Sequence, residues 1–404
     1  MGRIFIPTDE TFPHTADAVV IGGGIVGVAT AFWLSRAGLN TVVVEMRDGL
    51  STLTTSESIE SFRAQFTEPY MSELAVASIE MFENFATVIG IPDYDIALRH
   101  QGYLFVTDDP EMSASVKAAV EKHHTLGVTD SEFLTGDEAR KRFPYLSDSV
   151  AAGSFRQRDG WLSAHEATQG FAKGCDAQFL VRTKATAVLR DGQGVCAVET
   201  DRGTVATRTV VNAAGPFAGE IGRMVGLYLP LEPVRRQKVF LSRQPLVPQG
   251  APLTIDLVRD TYWRPETGGA YVAWVDPDEP VAERPSEHPS TNPYFAAIVL
   301  EKLIPITPFW EKVAMNLKKA DVHPSAGYYV YTPDDQPLIG PVEEVPGFYL
   351  NCGYWAGVML SPAAGKRIAD LVTGEIDPRD NPLRLSRYEE GIVVEGDSFL
   401  RGRR

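Results

Sequence analysis

Three glycines and one acid carry the most specific chemistry in this sequence. Gly22, Gly24 and Gly27 form a G-x-G-x-x-G pattern, and Glu45 follows eighteen residues after the last of them. The first glycine permits a tight turn after a strand, the second lets the backbone approach a pyrophosphate, and the third lets a helix pack close to that strand. Amides at the start of the helix, at Ile25 and Val26, point at the phosphates. A carboxylate at Glu45 accepts hydrogen bonds from a ribose 2′-hydroxyl and argues against a 2′-phosphate, which leaves NAD or FAD.

The other reactive side chains form no catalytic triad. His123 and His124 lie in a polar helical stretch with no third ligand at metal spacing, so no metal is expected. His165 follows a helix cap and reads as structural and solvent-facing. His323, before Pro324 in an expected loop, is a candidate for the substrate side, and it would be the base if the substrate were a 2-hydroxy acid. Arg235 and Arg236 are candidates to reach a substrate, with a solvated strand end the favoured reading, and Phe309 and Trp310 are expected in a packed core rather than a lid.

These residues need elements to hold them. Residues 17–21 and 41–44 read as strands buried on both faces, with a helix between them. Apolar spacing predicts a helix over 68–89, a strand pair over 96–106 with Gly102 in its turn, and polar helices over 110–143. Ser163 with Glu166 predicts a capping box opening a helix over 164–174. Strands follow at 179–190, 194–200 and 209–215, the last ending in Ala214 and Gly215, small enough for backbone to meet a ligand. Residues 230–330 change to aromatic-rich strands with a helix near 293–304, which suits an inserted antiparallel sheet. In the tail, 348–352 reads as a strand, and Ser361 as N-cap, Pro362 at the first helical position and Gly374 past the end predict a helix.

The fold class expected is therefore α/β plus α+β: a discontinuous Rossmann-like domain from 1–90, 151–228 and 326–404, and a substrate domain from 91–150 and 229–325. The balance of 38 basic against 53 acidic side chains, a net −15, disfavours nucleic acid and anionic membranes as partners. Three cysteines without paired or metal spacing suit a reduced, cytoplasmic setting. No apolar run reaches the roughly 18 to 20 residues that span a bilayer, and the polar leader 1–15 reads as an extension to the first strand.

In their order, these pieces resemble the FAD-dependent amine and amino-acid oxidoreductases of the D-amino-acid oxidase superfamily, which includes sarcosine oxidases, glycine oxidases and D-amino-acid dehydrogenases. The resemblance covers nearly the whole chain and rests on VIGGGIVG (20–27) with Glu45, VNAAG (211–215), TPDDQPLIGP (332–341) and GYWAGVMLSPAAG (353–365). It implies FAD as cofactor, with Glu45 and the adjoining Met46 at the adenosine ribose, Ser51 and Thr52 along the pyrophosphate, and backbone near Ala185 at the adenine. Gly353, Trp355, Gly357, Val358 and Met359 would lie against the isoalloxazine, with a helix N-terminus near its C2 carbonyl.

The same resemblance gives Arg63 the role of holding a substrate carboxylate and Tyr262 that of a substrate-site hydroxyl. Several positions depart from the pattern. The flavin-linking cysteine of sarcosine oxidases falls on Gly327, so non-covalent FAD is expected. A tail lysine falls on Met359, an arginine of D-amino-acid dehydrogenases near Tyr329, and an oxygen-activating lysine near Val272. The expected activity is oxidation of a primary or secondary amine, an amino acid or N-alkyl amino acid, by hydride transfer to flavin N5 and hydrolysis of the imine. Oxygen, a quinone or a partner protein would take the electrons. Oxidation of a 2-hydroxy acid and an electron-relay flavoprotein subunit of a larger complex, possible as an oligomer, are the alternatives.

Overall fold

The computed structural model describes residues 2–392. Met1 and residues 393–404, the end of the third cofactor segment, lie outside the described residues. Two sheets organise the chain. In the first, Ala18–Ile21 and Thr41–Val44 run parallel, every residue buried, joined by the helix Ile25–Arg36. Val210–Asn212 and Phe348–Cys352 extend this sheet in parallel on one side, and Leu338–Pro341 closes that edge antiparallel. Gln178–Leu180 lies on the other side and pairs with Arg3–Phe5, so the leader supplies an edge strand of its own. Short apolar runs suit such a sheet because both of its faces are covered, one by the helices Ile25–Arg36, Ala164–Lys173 and Gly357–Thr373, the other by a three-stranded antiparallel sheet over 185–206 and the helix Ala218–Met224.

The helix Gly357–Thr373 crosses Ile25–Arg36 closely, since a Cβ on Gly365 would stand 2.8 Å from the Ala29 backbone. This tail helix begins four residues before Ser361, contrary to the expected cap. Pro362 therefore sits inside the helix and cannot donate to the carbonyl of Val358; the Ser361 hydroxyl donates to it instead, at 3.0 Å. Gly374 ends the helix at φ 81°, as its type requires. Elsewhere Asn84 splits the expected 68–89 helix into Pro69–Glu83 and Phe85–Ile89. The expected pair over 96–106 is one strand, Tyr103–Thr107, and the stretch expected as helices over 110–143 also contains the strand Glu132–Thr135. Ser163 caps Ala164–Lys173 by accepting from the Glu166 amide, while the Glu166 carboxylate accepts from Tyr94.

The second sheet has eight strands in the order Val322–Tyr331, Glu232–Leu241, Gly269–Trp274, Thr261–Glu266, Leu253–Asp256, Tyr103–Thr107, Ala152–Arg156 and Glu132–Thr135. All neighbours are antiparallel except Leu253–Asp256 with Tyr103–Thr107. Ala152–Arg156, assigned from sequence to a cofactor segment, sits in this sheet. Its two faces differ in chemistry. Val239, Leu241, Trp263 and Val272 pack under the helices Phe295–Leu303 and Phe309–Asn316, with Trp310 fully buried among them. Alternation along the strands puts Arg236, Lys238, Tyr262, Arg264, Tyr271, Tyr329 and Tyr331 on the opposite face.

Candidate cofactor and active site

A cavity of about 570 Å³ runs along the ends of the first sheet's strands, a size typical of small-molecule and cofactor sites. The fingerprint lines it with Gly22, Gly24, Ile25 and Val26. Glu45, Met46, Ser51, Thr52 and Ala185 also line it, as do Ala214 and Gly215 and, from the tail, Gly353, Trp355, Gly357 and Val358. Gly27 and Met359 do not. A Cβ on Gly27 would stand 2.0 Å from the Gly22 carbonyl oxygen, so this glycine serves helix packing, and Met359 is buried in the core beside it. The sequence reading missed Arg47, Thr55, Thr183, Lys184, Tyr328 and the segment 285–288, which also line the cavity.

At one end Glu45 accepts from the amides of Gly23 at 2.6 Å and Arg47 at 2.7 Å. Burial raises its pKa, while those hydrogen bonds and the Arg47 charge oppose the rise. The main chain of Glu45 and Arg47 also accepts from Thr183 and Arg182, which brings the Ala185 strand beside it. Gly24 is the N-cap of Ile25–Arg36 and has no side chain to cap the helix; the Ile25 amide donates to Thr55 Oγ1 at 3.1 Å. Ser51, with φ 56°, is held in the left-handed region where the chain turns along the cavity.

The other end meets a second helix start. Ala356 caps Gly357–Thr373 without a side-chain hydrogen bond, and Gly357 and Val358 face the cavity, so the positive end of the helix dipole points into it. The early start of this helix places that end at the cavity wall; a start at Ser361 would leave it a turn away. Around it stand Tyr328, Tyr329, Asn351, Cys352, Tyr354 and Trp355. The acids and the imidazole of the lining, Glu45, Glu220, Glu287 and His288, come from other segments. Burial pushes the Cys352 thiol up to about 12 and the Tyr329 and Tyr354 phenols well above their usual value, so all three stay protonated.

The four expected substrate-side residues are not brought to one place. Trp355 lines the cavity and donates from its indole to the Asp335 carbonyl at 3.0 Å. Arg63, 1 % exposed, lies behind Trp355 with its guanidinium 3.9 Å from the Phe66 ring centroid and 5.8 Å from that of Trp355; it donates to the Gln65 carbonyl. The Tyr262 hydroxyl is 3.3 Å from that of Tyr329, one residue back from the cavity. His323 lies in the strand Val322–Tyr331 and not in a loop. It is exposed, stacks on Phe240 and sits six residues from Tyr329, about 20 Å along an extended chain, so it does not reach the cavity. Arg236, expected in solvent, is 9 % exposed.

The connection 275–294 leaves the second sheet and crosses to the first. Arg235 holds it through Glu279 at 2.8 Å and the Ser290 carbonyl at 2.6 Å, and Gln237 accepts from the Asn292 amide. It closes over the cavity where Arg47 donates to the Glu287 carbonyl at 2.5 Å and Tyr328 accepts from the Ser286 amide at 2.9 Å.

A family model described as FAD dependent oxidoreductase matches residues 17–371. The chain belongs to this family. Its cofactor is FAD, and the residues present fit it: an acid poised for a ribose, a helix start with glycine at its N-cap beside it, and a second helix start without a side-chain cap at the far end of one cavity. The oxidoreductase is 26% identical to the mitochondrial dimethylglycine dehydrogenase of Rattus norvegicus over 97% of this chain and 48% of that protein, so it spans about half of that relative's length. It is 26% identical to a hydrogen cyanide synthase subunit of Pseudomonas aeruginosa, covering 93% of this chain and 97% of the subunit. Among solved structures, L-proline dehydrogenase from P. horikoshii superposes with a TM-score of 0.82 at 28% identity, covering 94% of this chain and 99% of that one. These relatives agree with the two-sheet architecture and the flavin chemistry expected from sequence. Among the described residues, no helix is long and apolar enough to cross a membrane and no cluster could hold a metal ion.

Proposed function

We propose that this chain oxidises an amino acid or N-alkyl amino acid at the carbon next to nitrogen. The observation that carries this reading is the cavity wall beside the Gly357 helix start, which is built of Tyr328, Tyr329, Asn351, Cys352, Tyr354 and Trp355, with Cys352 and the phenols of Tyr329 and Tyr354 held protonated by burial. A neutral amine needs no base to lose hydride, whereas a 2-hydroxy acid needs one for its hydroxyl proton. FAD supplies a two-electron acceptor at its N5. Trp355 and the Tyr329 phenol exclude water and hold the amine with its C–H bond toward the flavin ring. The product imine is hydrolysed by water to a carbonyl compound, and the electrons pass on to oxygen, a quinone or a partner protein. Dimethylglycine and L-proline, named in two relatives, are both N-substituted amino acids.

A second reading, a flavoprotein subunit working inside a larger complex, is favoured by the cyanide synthase subunit among the relatives. One experiment separates the two: an anaerobic visible spectrum of the holoprotein, titrated with amines, amino acids, N-methyl amino acids and 2-hydroxy acids. Bleaching by an N-alkyl amino acid supports the first reading. Bleaching by hydroxy acids alone overturns it, and a flavin that no compound reduces points to the subunit.

A further inference from the structure

Arg236 is buried beside the cavity with no acid to neutralise it. Its Nη1 donates to the Asp276 carbonyl at 2.9 Å and its Nη2 to the Tyr331 hydroxyl at 3.2 Å, while its Nε is buried without a partner. The neighbouring cations on this face are compensated: Arg264 by Glu60 and Glu266, and Lys238 by Glu57 at 3.9 Å and the carbonyls of Ser56 and Ser58. Arg235, on the opposite side of the strand, takes Glu279. Among the described residues no carboxylate pairs with Arg236, and a buried guanidinium left in that state is costly unless an anion completes it.

The surrounding groups also favour an anion. Tyr262 and Tyr329 share one hydroxyl contact at 3.3 Å, so one of their two protons remains to be donated elsewhere. Burial keeps both phenols protonated, and the ring of Tyr331, whose hydroxyl accepts from Arg236, stands 6.3 Å from that of Tyr329, centroid to centroid. Tyr329 itself lines the cavity.

We propose that Arg236, with the hydroxyls of Tyr262 and Tyr329, is the receptor for the substrate's carboxylate. This rests on the reading of the substrate as an amino acid and supplies, from the middle of a sheet, a cation where the family pattern is missing the tail lysine and the arginine near Tyr329. The Nε–H and the spare phenolic proton give a carboxylate two donors from different strands, orienting it as well as holding it.

The test is titration of the holoprotein with acetate, propionate and benzoate, followed by perturbation of the flavin absorption bands, with benzamide as the neutral control. The wild type binds the carboxylates and discriminates against the amide. Arg236→Gln weakens carboxylate binding about 100-fold, Arg236→Lys less, and Tyr329→Phe several-fold. Arg63→Gln retains most of the affinity. FAD content and melting temperature certify that each variant is folded, and Arg236→Lys keeps the charge if the Gln variant fails to fold. Unchanged binding in Arg236→Gln overturns the proposal, as does a wild type that binds no carboxylate or binds the amide equally, or a loss confined to Arg63→Gln. Binding needs no turnover, so a flavin that no amine reduces sinks the proposed function while leaving this result readable.

Discussion

The Ser361 hydroxyl takes the place of a backbone amide: it donates to the Val358 carbonyl at 3.0 Å because the next residue, Pro362, has no N–H to offer. The bond keeps a buried carbonyl satisfied in the first turns of the helix whose start faces the cavity. Ser361→Ala is expected to destabilise the protein by about 1–3 kcal/mol, the cost of an orphaned buried acceptor. Pro362→Ala restores the missing donor, so the double variant is expected to recover part of that loss. A double-mutant cycle by urea denaturation measures the coupling, and strict additivity would refute this account.

Glu45 makes cofactor binding pH-dependent. Burial raises its pKa above 4.5, and a ribose needs the ionised form as acceptor. FAD affinity is therefore expected to fall on acidification in a window that opens above pH 4.5. In the cofactor-free protein the sign is opposite: the raised pKa means that the fold favours the protonated acid, a contribution present at low pH and lost as pH rises through the window. Glu45→Gln is expected to bind FAD roughly ten-fold more weakly at neutral pH and without that pH dependence, as read by equilibrium dialysis across the range.

The flavin is expected to be held without a covalent bond. The resemblance to sarcosine oxidases puts their linking cysteine at Gly327, and even a Cβ there would meet Glu57 Cβ at 2.9 Å. Cys352 lines the cavity, but its thiol, pushed up to about 12, is not a nucleophile near neutrality. Acid precipitation should leave a colourless pellet and a yellow supernatant; a yellow pellet refutes the expectation.

His323→Ala is expected to leave the rate of flavin reduction within about two-fold of the wild type for any substrate, since an exposed side chain about 20 Å along the strand from Tyr329 takes no part in the chemistry. Stopped-flow reduction under anaerobic conditions checks this, and a large loss would return the hydroxy-acid reading with His323 as its base.

The residues legible in advance were those whose role is local. Gly22, Gly24 and Glu45 sit within one strand, turn, helix and strand, and short-range pattern determines that unit. Ser361 and Pro362 misled because a serine before a proline has the same appearance at a helix start as inside a helix, where the hydroxyl repairs what the proline removes. Arg236 misled for another reason. In the run from Arg235 to Lys238 every side chain is polar, which reads as a solvated end, but both faces of that strand are covered: one holds the 275–294 connection and the other packs Arg236 on Tyr331, beside the cavity-lining Tyr329. The segment 285–288 left no signal because its contacts to Arg47 and Tyr328 join distant parts of the chain.

Those contacts give the cofactor a second kind of hold. Removing the Arg47 side chain, which donates to the Glu287 carbonyl and to Thr52 Oγ1 at 2.9 Å, is expected to speed FAD release about ten-fold in stopped-flow measurements of flavin fluorescence. An unchanged release rate would mean that the crossing segment does not gate the cavity.

The crossing segment also sets an order on how the holoprotein comes together. Because 285–288 lies across the cavity yet is anchored on the other sheet by Arg235 and Gln237, a dinucleotide threaded along the strand ends has to arrive before that segment settles or wait for it to lift. If that lifting limits release, flavin capture is a step of maturation shared by both sheets, and the lifetime of the coloured protein follows the opening of one strap as well as the tightness of the fingerprint.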